Sequence, residues 1–101
     1  MKLYKTKLGR IFNFIKNEGK FEYGSHVQVM KNTSKYEKYD KYVNQYGIVR
    51  NIDYSKKEFM IEVRFADGNM YGFNPGELRQ IKDKEYFDNY SKYKEIFSQI
   101  Q

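Results

Sequence analysis

The stretch FMIEVRFADGNMYGF, residues 59–73, decides the fold of this chain. Large apolar residues occupy every second position of its first half, at Phe59, Ile61, Val63 and Phe65. Because successive side chains of a strand point to opposite faces of a sheet, this alternation predicts a strand with one buried face. The Asp-Gly pair at 67–68 is a strong hairpin signal, and MYGF predicts the returning strand. The stretch therefore predicts an antiparallel hairpin.

The two-residue period continues on both sides of this hairpin. HVQVM and YGIVRNI predict two earlier strands, at 26–30 and 46–52, and RQI predicts a last strand at 79–81. Before that last strand, NPGEL interrupts the pattern with a proline and a glycine, which favours a single helical turn. About five short strands within about sixty residues, joined by tight turns, are typical of a small barrel.

Apolar residues recur with a helical period at both ends of the chain. In the first segment they are Tyr4, Leu8, Ile11, Phe12 and Ile15. In the last segment they are Tyr86, Tyr90, Tyr93, Phe97 and Ile100. Each set lies on one face of an α-helix. The predicted fold class is therefore α+β, a single domain in which a five-stranded antiparallel barrel over 21–81 is flanked by a basic amphipathic helix over 3–17 and a C-terminal helix over 84–99.

The order of the strand motifs resembles the SH3-like small barrels, including the KOW type and related proteins of bacteria and phages. The resemblance covers residues 21–81 and rests on four short motifs, which are Gly24-x-x-Val27-x-Val29, Gly47-x-Val49-x-x-Ile52, Asp67-Gly68 and Phe73-x-Pro75-x-x-Leu78. Barrels of this class bind RNA, DNA, peptides or other proteins, mostly through the long loop after the first strand. The resemblance therefore implies a binding surface at residues 31–45.

The charge and composition of the chain narrow its partners and its compartment. The net charge is +6, and residues 1–50 carry eleven basic against four acidic residues, so the charge that could face a partner lies in the first half. The absence of cysteine excludes disulfides and thiolate chemistry. No run approaches the ~18 apolar residues of a membrane span, and no signal-peptide pattern is present. We therefore expect a cytoplasmic protein with no membrane contact.

A Lys-Tyr-x repeat fills the loop that the resemblance indicates, in SKYEKYDKYVNQY at residues 34–46. Lysines neutralise phosphates and tyrosines stack on bases. Neither an α-helix nor a strand places residues three apart on one narrow face, and buried charges are costly, so we predict an irregular contact loop outside the core. The candidate binding residues are Lys31, Lys35, Tyr36, Lys38, Tyr39, Lys41 and Tyr42, with Arg50, Lys5, Lys7 and Arg10 extending the patch.

No residue pattern in the chain indicates catalysis. The one histidine, His26, begins a predicted strand with no acid at a suggestive spacing. The aspartates show no metal-ligand spacing, and GNMYGFNPG does not match a phosphate-binding loop. The sequence thus predicts no catalytic residue, no metal site and no cofactor.

These observations predict a non-enzymatic binding module. The first reading is an accessory protein that binds nucleic acid without sequence preference through the Lys-Tyr loop. The alternative is a phage or mobile-element protein that binds an acidic surface of a host or defence protein and inhibits it. A small-barrel endoribonuclease toxin is a third and weaker reading, because the opening strand pattern and the arginine-rich turn of those toxins are absent.

Overall fold

The computed structural model describes residues 20–55 and 59–100, which form one five-stranded antiparallel sheet and two helices. The strands are β1 His26–Val29, β2 Tyr46–Asp53, β3 Met60–Arg64, β4 Met70–Phe73 and β5 Leu78–Gln80. Their order across the sheet is β4-β3-β2-β1-β5. Among the described strands no ladder joins β4 to β5, so the sheet has two edges. The α+β class and the five antiparallel strands are confirmed.

The hairpin at the centre of the sequence pattern forms as predicted. Val63 of β3 lies opposite Tyr71 of β4, and Ile61 lies opposite Phe73. The turn between them places Gly68 at a φ of 86°, a conformation that a residue without a side chain adopts at no steric cost. The alternation in β3 also holds, since Ile61 and Val63 are buried and their neighbours are half-exposed.

The main core lies on one face of this sheet. All five strands and the segments next to them contribute buried apolar side chains, among them Val27, Val29, Val49, Phe59, Ile61, Val63, Phe65, Phe73 and Leu78. The predicted single turn before the last strand is a 3₁₀ helix at Pro75–Glu77. Burial of this apolar surface supplies the main favourable term in folding.

A second apolar cluster joins the C-terminal helices to the opposite face of the sheet. It contains Ile48 of β2, Ile81 after β5, and Tyr93, Phe97 and Ile100 from the C-terminal segment. Ile48 and Val49 are neighbours in β2 and point to opposite faces, so this strand contributes to both cores. Of the stripe predicted for the C-terminus, Tyr93, Phe97 and Ile100 are core residues and Tyr86 packs against them, whereas Tyr90 is exposed.

The predicted single helix over 84–99 is wrong in one detail, because the structure has two helices. They are α1 at Asp83–Asp88 and α2 at Tyr90–Ser98, and Asn89 between them has φ −127° and ψ 40°. The Asn89 side chain donates to the Glu85 carbonyl, 3.4 Å away, which the backbone N–H of Asn89 also uses at 3.2 Å. Asn89 thus caps the C-terminal end of α1, and its non-helical backbone ends that helix. The predicted helix over 3–17 lies outside the described residues.

A polar network fixes the helices to the sheet. Arg79 of β5 donates through Nη1 to both carboxylate oxygens of Glu85, at 2.6 and 2.9 Å, and through Nη2 to Gln28 of β1 at 2.8 Å. The Tyr93 hydroxyl donates to Glu85 Oε1 at 2.7 Å. Its hydrogen bond to Glu85, together with burial, raises the pKa of Tyr93 to about 12. The Glu85 carboxylate joins α1 to β5 and α2, and Arg79 extends the network to β1.

Candidate binding surface

The segment between β1 and β2 carries the predicted contact residues and is regular in its second half. Residues Glu37–Tyr42 form a 3₁₀ helix. A 3₁₀ helix has about three residues per turn, so residues three apart lie above one another. The spacing of the tyrosines is therefore the period of this helix, which places Tyr39 and Tyr42 on the face directed toward the sheet. The prediction of an irregular loop is wrong for this part of the segment.

The Glu77 carboxylate holds the beginning of this segment against the turn before β5. Its Oε2 accepts the Thr33 backbone N–H at 2.8 Å, and its Oε1 accepts the Asn74 backbone N–H at 2.9 Å. Glu77 is only 4% exposed. Because each carboxylate oxygen accepts a backbone donor, the buried charge is compensated by hydrogen bonds. The sequence interpretation missed this contact, which joins residues 44 positions apart.

Hydrogen bonds from Asn32 close the segment upon itself. The Asn32 amide donates to the Tyr36 carbonyl at 3.0 Å and to Asp40 Oδ1 at 2.8 Å, and its own oxygen accepts the Ser34 N–H at 3.0 Å. At the other end, Gln45 Nε2 donates to the Lys41 carbonyl at 2.7 Å. These bonds connect Asn32 to the 3₁₀ helix at one end of the segment and Gln45 to it at the other.

Tyr42 is a core residue, which corrects its assignment as a contact residue. Its exposed fraction is 0%, and its ring stacks on Phe65 with the centroids 4.2 Å apart. The hydroxyl donates to Asp67 Oδ2 at 2.6 Å and accepts from Asn69 Nδ2 at 3.2 Å. A ring that is enclosed in this way has no face left for a base or a partner.

The electrostatics around Tyr42 follow from the same contacts. Burial, followed by the hydrogen bond to Asp67, raises the pKa of Tyr42. The hydroxyl in turn stabilises the Asp67 carboxylate and lowers the pKa of Asp67. The contact of Lys41 with the Tyr42 oxygen is the first cause of a raised pKa for Lys41. Asp67 is therefore ionised and Lys41 protonated at neutral pH.

The remaining predicted residues of the segment form what we call the Lys/Tyr surface, which consists of Lys31, Lys35, Tyr36, Lys38, Tyr39 and Lys41. All four lysines are exposed, Tyr36 is 61% exposed and Tyr39 is half-buried. Tyr39 packs on Tyr71 of β4, with ring centroids 5.0 Å apart, and this contact positions the surface beside the β3–β4 hairpin. Tyr36, Lys38 and Tyr39 contact one another, and Lys38 and Tyr39 also contact Tyr71 of β4. Lys31, Lys35 and Lys41 are exposed residues of the same segment.

Lys38 is placed among three tyrosine rings. Its Nζ lies 5.5 Å from the ring centroid of Tyr36, 5.2 Å from that of Tyr39 and 5.6 Å from that of Tyr71. The Tyr36 and Tyr39 rings are nearly perpendicular, at 82°, so the ammonium lies in the angle between them. Cation–π attraction within about 6 Å holds an ammonium in such a position. Tyr71 is the residue of this group that the sequence interpretation missed.

Arg50 does not join the Lys/Tyr surface, contrary to the extended patch that the sequence predicts. Its guanidinium lies over the Tyr23 ring at 5.8 Å, and its charge acts on His26 at the start of β1. The Lys-Tyr segment leaves from the other end of that strand, after Val29. Arg50 and the Lys/Tyr surface are therefore at opposite ends of β1. Lys5, Lys7 and Arg10 lie outside the described residues.

His26 lines a separate cavity between β1 and the first C-terminal helix. The cavity has a volume of about 430 Å³, and Glu22, Ser25, Asp83 and Tyr86 also line it. The imidazole stacks on Phe97 with the centroids 4.0 Å apart. Burial, followed by the charge of Arg50, lowers the pKa of His26. His26 begins β1, as predicted, and its half-buried ring packs against the C-terminal helix.

Within residues 20–55 and 59–100, no group of three or more His, Asp or Glu side chains is arranged to hold a metal ion. None of the helices in this part of the chain has the length and apolarity needed to cross a membrane.

The fold and this surface define a small α+β protein with a Lys/Tyr segment, partly in a 3₁₀ helix, between its first two strands. No family model and no curated protein matches the chain. Among solved structures, it is similar to the solution structure of the cyanobacterial cytochrome b6f complex subunit PetP, with a TM-score of 0.59 and 19% identity. The match covers 66% of this chain and 87% of that chain. At this identity the likeness shows a shared fold alone.

Proposed function

We propose that the protein is a non-enzymatic module that binds nucleic acid, without sequence preference, through the Lys/Tyr surface. The observation that carries the proposal is the exposure of four lysines that form no salt bridge within the described residues, which are Lys31, Lys35, Lys38 and Lys41. The salt bridge found within residues 20–55 and 59–100 joins Arg79 to Glu85, so none of the four lysines is paired with a carboxylate there. Exposed ammonium groups without a carboxylate partner can neutralise phosphates, and that charge term dominates non-specific affinity.

Two carboxylates of the region support this interpretation because they accept hydrogen bonds within the protein, whereas a third, Glu37, is exposed. Asp40 accepts a hydrogen bond from Asn32, and Asp67 accepts one from Tyr42, so both are engaged within the protein. The exposed ring of Tyr36 adds a stacking surface between Lys35 and Lys38. Stacking on a base is tolerant of sequence because every base has a π-face.

Salt-dependent binding of a fluorescent oligonucleotide tests the proposal. We expect Lys31→Ala/Lys35→Ala to bind more weakly and to reduce the slope of log K against log salt by about 1.4, which corresponds to two phosphate contacts on a single strand. The matched control is Lys84→Ala/Lys94→Ala, which removes two exposed lysines from the C-terminal helices. Equal effects of the two pairs, or no binding at low salt, would refute the proposal.

We also propose that the sheet curls into a small SH3-like barrel. A flat sheet of five strands would separate its edge strands, β4 and β5, by about 19 Å. The connection between them is only Asn74–Glu77, and three of its residues form a 3₁₀ helix that rises about 2 Å per residue. This connection is too short to span the edge strands of a flat sheet, and it therefore supports strong curvature of the sheet. A crystal structure with β4 and β5 about 19 Å apart would exclude a barrel.

A protein partner is the second candidate, as for an accessory protein that inhibits a host or defence protein. The observation that favours it is the exposure of two aromatic rings at the junction of α1 and α2, Phe87 at 80% and Tyr90 at 51%. Aromatic residues are enriched at the energetic centres of protein interfaces. PetP is a subunit of a protein complex, so the shared fold suggests, by analogy alone, that this chain also binds a protein.

A comparison of two variants separates this candidate from nucleic-acid binding. If a partner binds through the helices, the Phe87→Ser/Tyr90→Ser variant should no longer bind it, and the Lys31→Ala/Lys35→Ala variant should still bind it. A nucleic acid bound through the Lys/Tyr surface shows the opposite pattern. A partner that both variants retain would rule out both surfaces.

A further inference from the structure

We infer that the Lys/Tyr surface takes single-stranded nucleic acid, and that an unpaired base replaces the Lys38 ammonium on the tyrosine rings while this ammonium moves to a phosphate. The inference rests on the proposed function, whose ligand class it narrows. It assigns two roles to Lys38, which covers the rings in the free protein and holds the strand in the complex.

The position of Lys38 is the first support. Its Nζ is within 5.6 Å of three ring centroids, those of Tyr36, Tyr39 and Tyr71, and the described residues include no carboxylate paired with it. In the free protein the ammonium thus occupies the angle between the rings. Any group that stacks in this angle must first displace it.

The three tyrosine rings differ in how firmly the protein holds them, and this difference allows a base to replace the Lys38 ammonium. Tyr39 and Tyr71 are half-buried and pack on one another. Tyr36 is exposed at the N-terminal end of the 3₁₀ helix, and its ring centroid lies 6.0 Å from that of Tyr39. Two rings are therefore fixed and one is accessible. Lys38 is an exposed residue of the same helix, so rotation of its side chain uncovers the rings without any movement of the backbone.

The energetics favour the exchange when phosphate is present. A phosphate contact is a charge-assisted interaction, which is stronger than cation–π attraction at an exposed site. The base then gains stacking on the rings that the ammonium has left. In duplex DNA the bases are paired and stacked on one another, so a duplex can offer phosphates to the lysines but no free base face to the rings.

The test compares Lys38→Ala with Lys35→Ala in binding to oligodeoxythymidine of about 12 nucleotides, a length within the range of small single-strand sites. Each variant loses one phosphate contact, so each slope of log K against log salt should fall by about 0.7. Lys35→Ala should bind more weakly than the wild type at every salt concentration. Lys38→Ala also loses a phosphate contact, so it should bind more weakly than the wild type at low salt. At high salt a phosphate contact contributes little, and the rings of this variant are already uncovered, so it should bind about threefold more tightly than the wild type.

The same titrations with a duplex of equal length complete the design. We expect the wild type to prefer the single strand by at least about tenfold at high salt, and Tyr36→Ser to lose that preference while its duplex affinity stays unchanged. Curves for Lys38→Ala that never cross those of the wild type, or a duplex bound as tightly as the single strand, would overturn the inference and leave the proposed function standing. Absence of binding to both oligonucleotides would overturn both.

Discussion

The hydroxyl of Tyr42 donates a 2.6 Å hydrogen bond to Asp67 Oδ2, 25 residues further along the chain. Tyr42 ends the 3₁₀ helix of the Lys-Tyr segment, and Asp67 lies in the turn between β3 and β4. This contact, with the stacking of Tyr42 on Phe65, fixes the segment to the hairpin. The last tyrosine of the repeat thereby supports the surface that the first two present.

We expect the tyrosines of the repeat to differ sharply in their contribution to stability. Tyr42→Ala should lower the free energy of unfolding by about 3–5 kcal/mol, because it empties a fully buried aromatic site. Tyr42→Phe, which loses only the hydroxyl and its hydrogen bonds with Asp67 and Asn69, should cost about 1–2 kcal/mol. Tyr36→Ala should cost no more than about 0.5 kcal/mol, as is usual for a surface residue. Urea unfolding monitored by circular dichroism measures all three, and similar losses at positions 36 and 42 would contradict the structure.

Removal of the Glu77 carboxylate should release the start of the Lys-Tyr segment. In Glu77→Ala the backbone N–H groups of Thr33 and Asn74 lose their acceptor, and we expect a cost of about 2–3 kcal/mol in unfolding free energy. Hydrogen exchange at these two amides should accelerate more than exchange in β3, which the change does not touch. Glu95→Ala, at an exposed helix position, is the control and should alter neither quantity.

The stability of the protein should fall as the pH drops below about 6.5, the ordinary pKa of histidine. The pKa of His26 is lowered in the folded state, first by burial and then by Arg50, so the unfolded state binds a proton at a higher pH than the folded state does. The contribution of neutral His26 to stability is therefore complete above the pKa of histidine in the unfolded state, and it is lost as the pH falls through the pKa of His26 in the folded state. Glu22 and Asp83 line the same cavity, and Tyr86 lies 5.5 Å from the imidazole.

His26→Phe provides the check on this pH dependence, because it keeps a ring against Phe97 and removes the titration. Unfolding free energies measured at about pH 7.5 and about pH 5.5 should differ for the wild type and should be nearly equal for the variant. The pKa values of Asp67 and Glu85 are lowered from ordinary values of 3.8 and 4.5, so these carboxylates titrate below this interval. An equal loss of stability in both proteins would assign the effect to another group.

The position of Gly47 in β2 leaves no space for a side chain. A Cβ at Gly47 would collide with the Val63 side chain and would lie 2.9 Å from the Arg64 carbonyl oxygen. Gly47→Ala should therefore cost about 1–3 kcal/mol, the range for an overpacked core. Gly76→Ala is the matched control, since nothing lies within 4 Å of its Cβ position, and it should leave the unfolding free energy within about 0.5 kcal/mol of the wild type. Thermal unfolding of the two variants decides between these outcomes.

Local patterns in the sequence were enough to predict most of the sheet. Alternation at Ile61 and Val63, and at Val27 and Val29, identifies the buried face because side-chain direction in a strand depends only on position. The turn at Gly68 follows from its freedom to adopt a positive φ. These features are local, and no distant contact is needed to infer them.

The Lys-Tyr segment shows where local patterns stop being sufficient. Its spacing of three fits a 3₁₀ helix, yet short 3₁₀ helices are stabilised by what they pack on, here Phe65 and Tyr71. The charges around Tyr42 suggested exposure, whereas the lysines and acids point outward and the ring points inward. The break at Asn89 was likewise not predictable from the apolar stripe, which continues across it.

The sequence by itself determined the α+β class, the five antiparallel strands and the concentration of basic and aromatic residues in one segment, since periodicity and composition are properties of neighbouring positions. Only the tertiary structure decided which of those residues are accessible. Tyr42 is buried because Asp67 and Phe65 meet it across the sheet, Lys38 covers three rings because β4 brings Tyr71 to the segment, and Arg50 lies apart because β1 separates it from the rest. Exposure depends on contacts between residues far apart in the chain, and those contacts exist only once the sheet has formed.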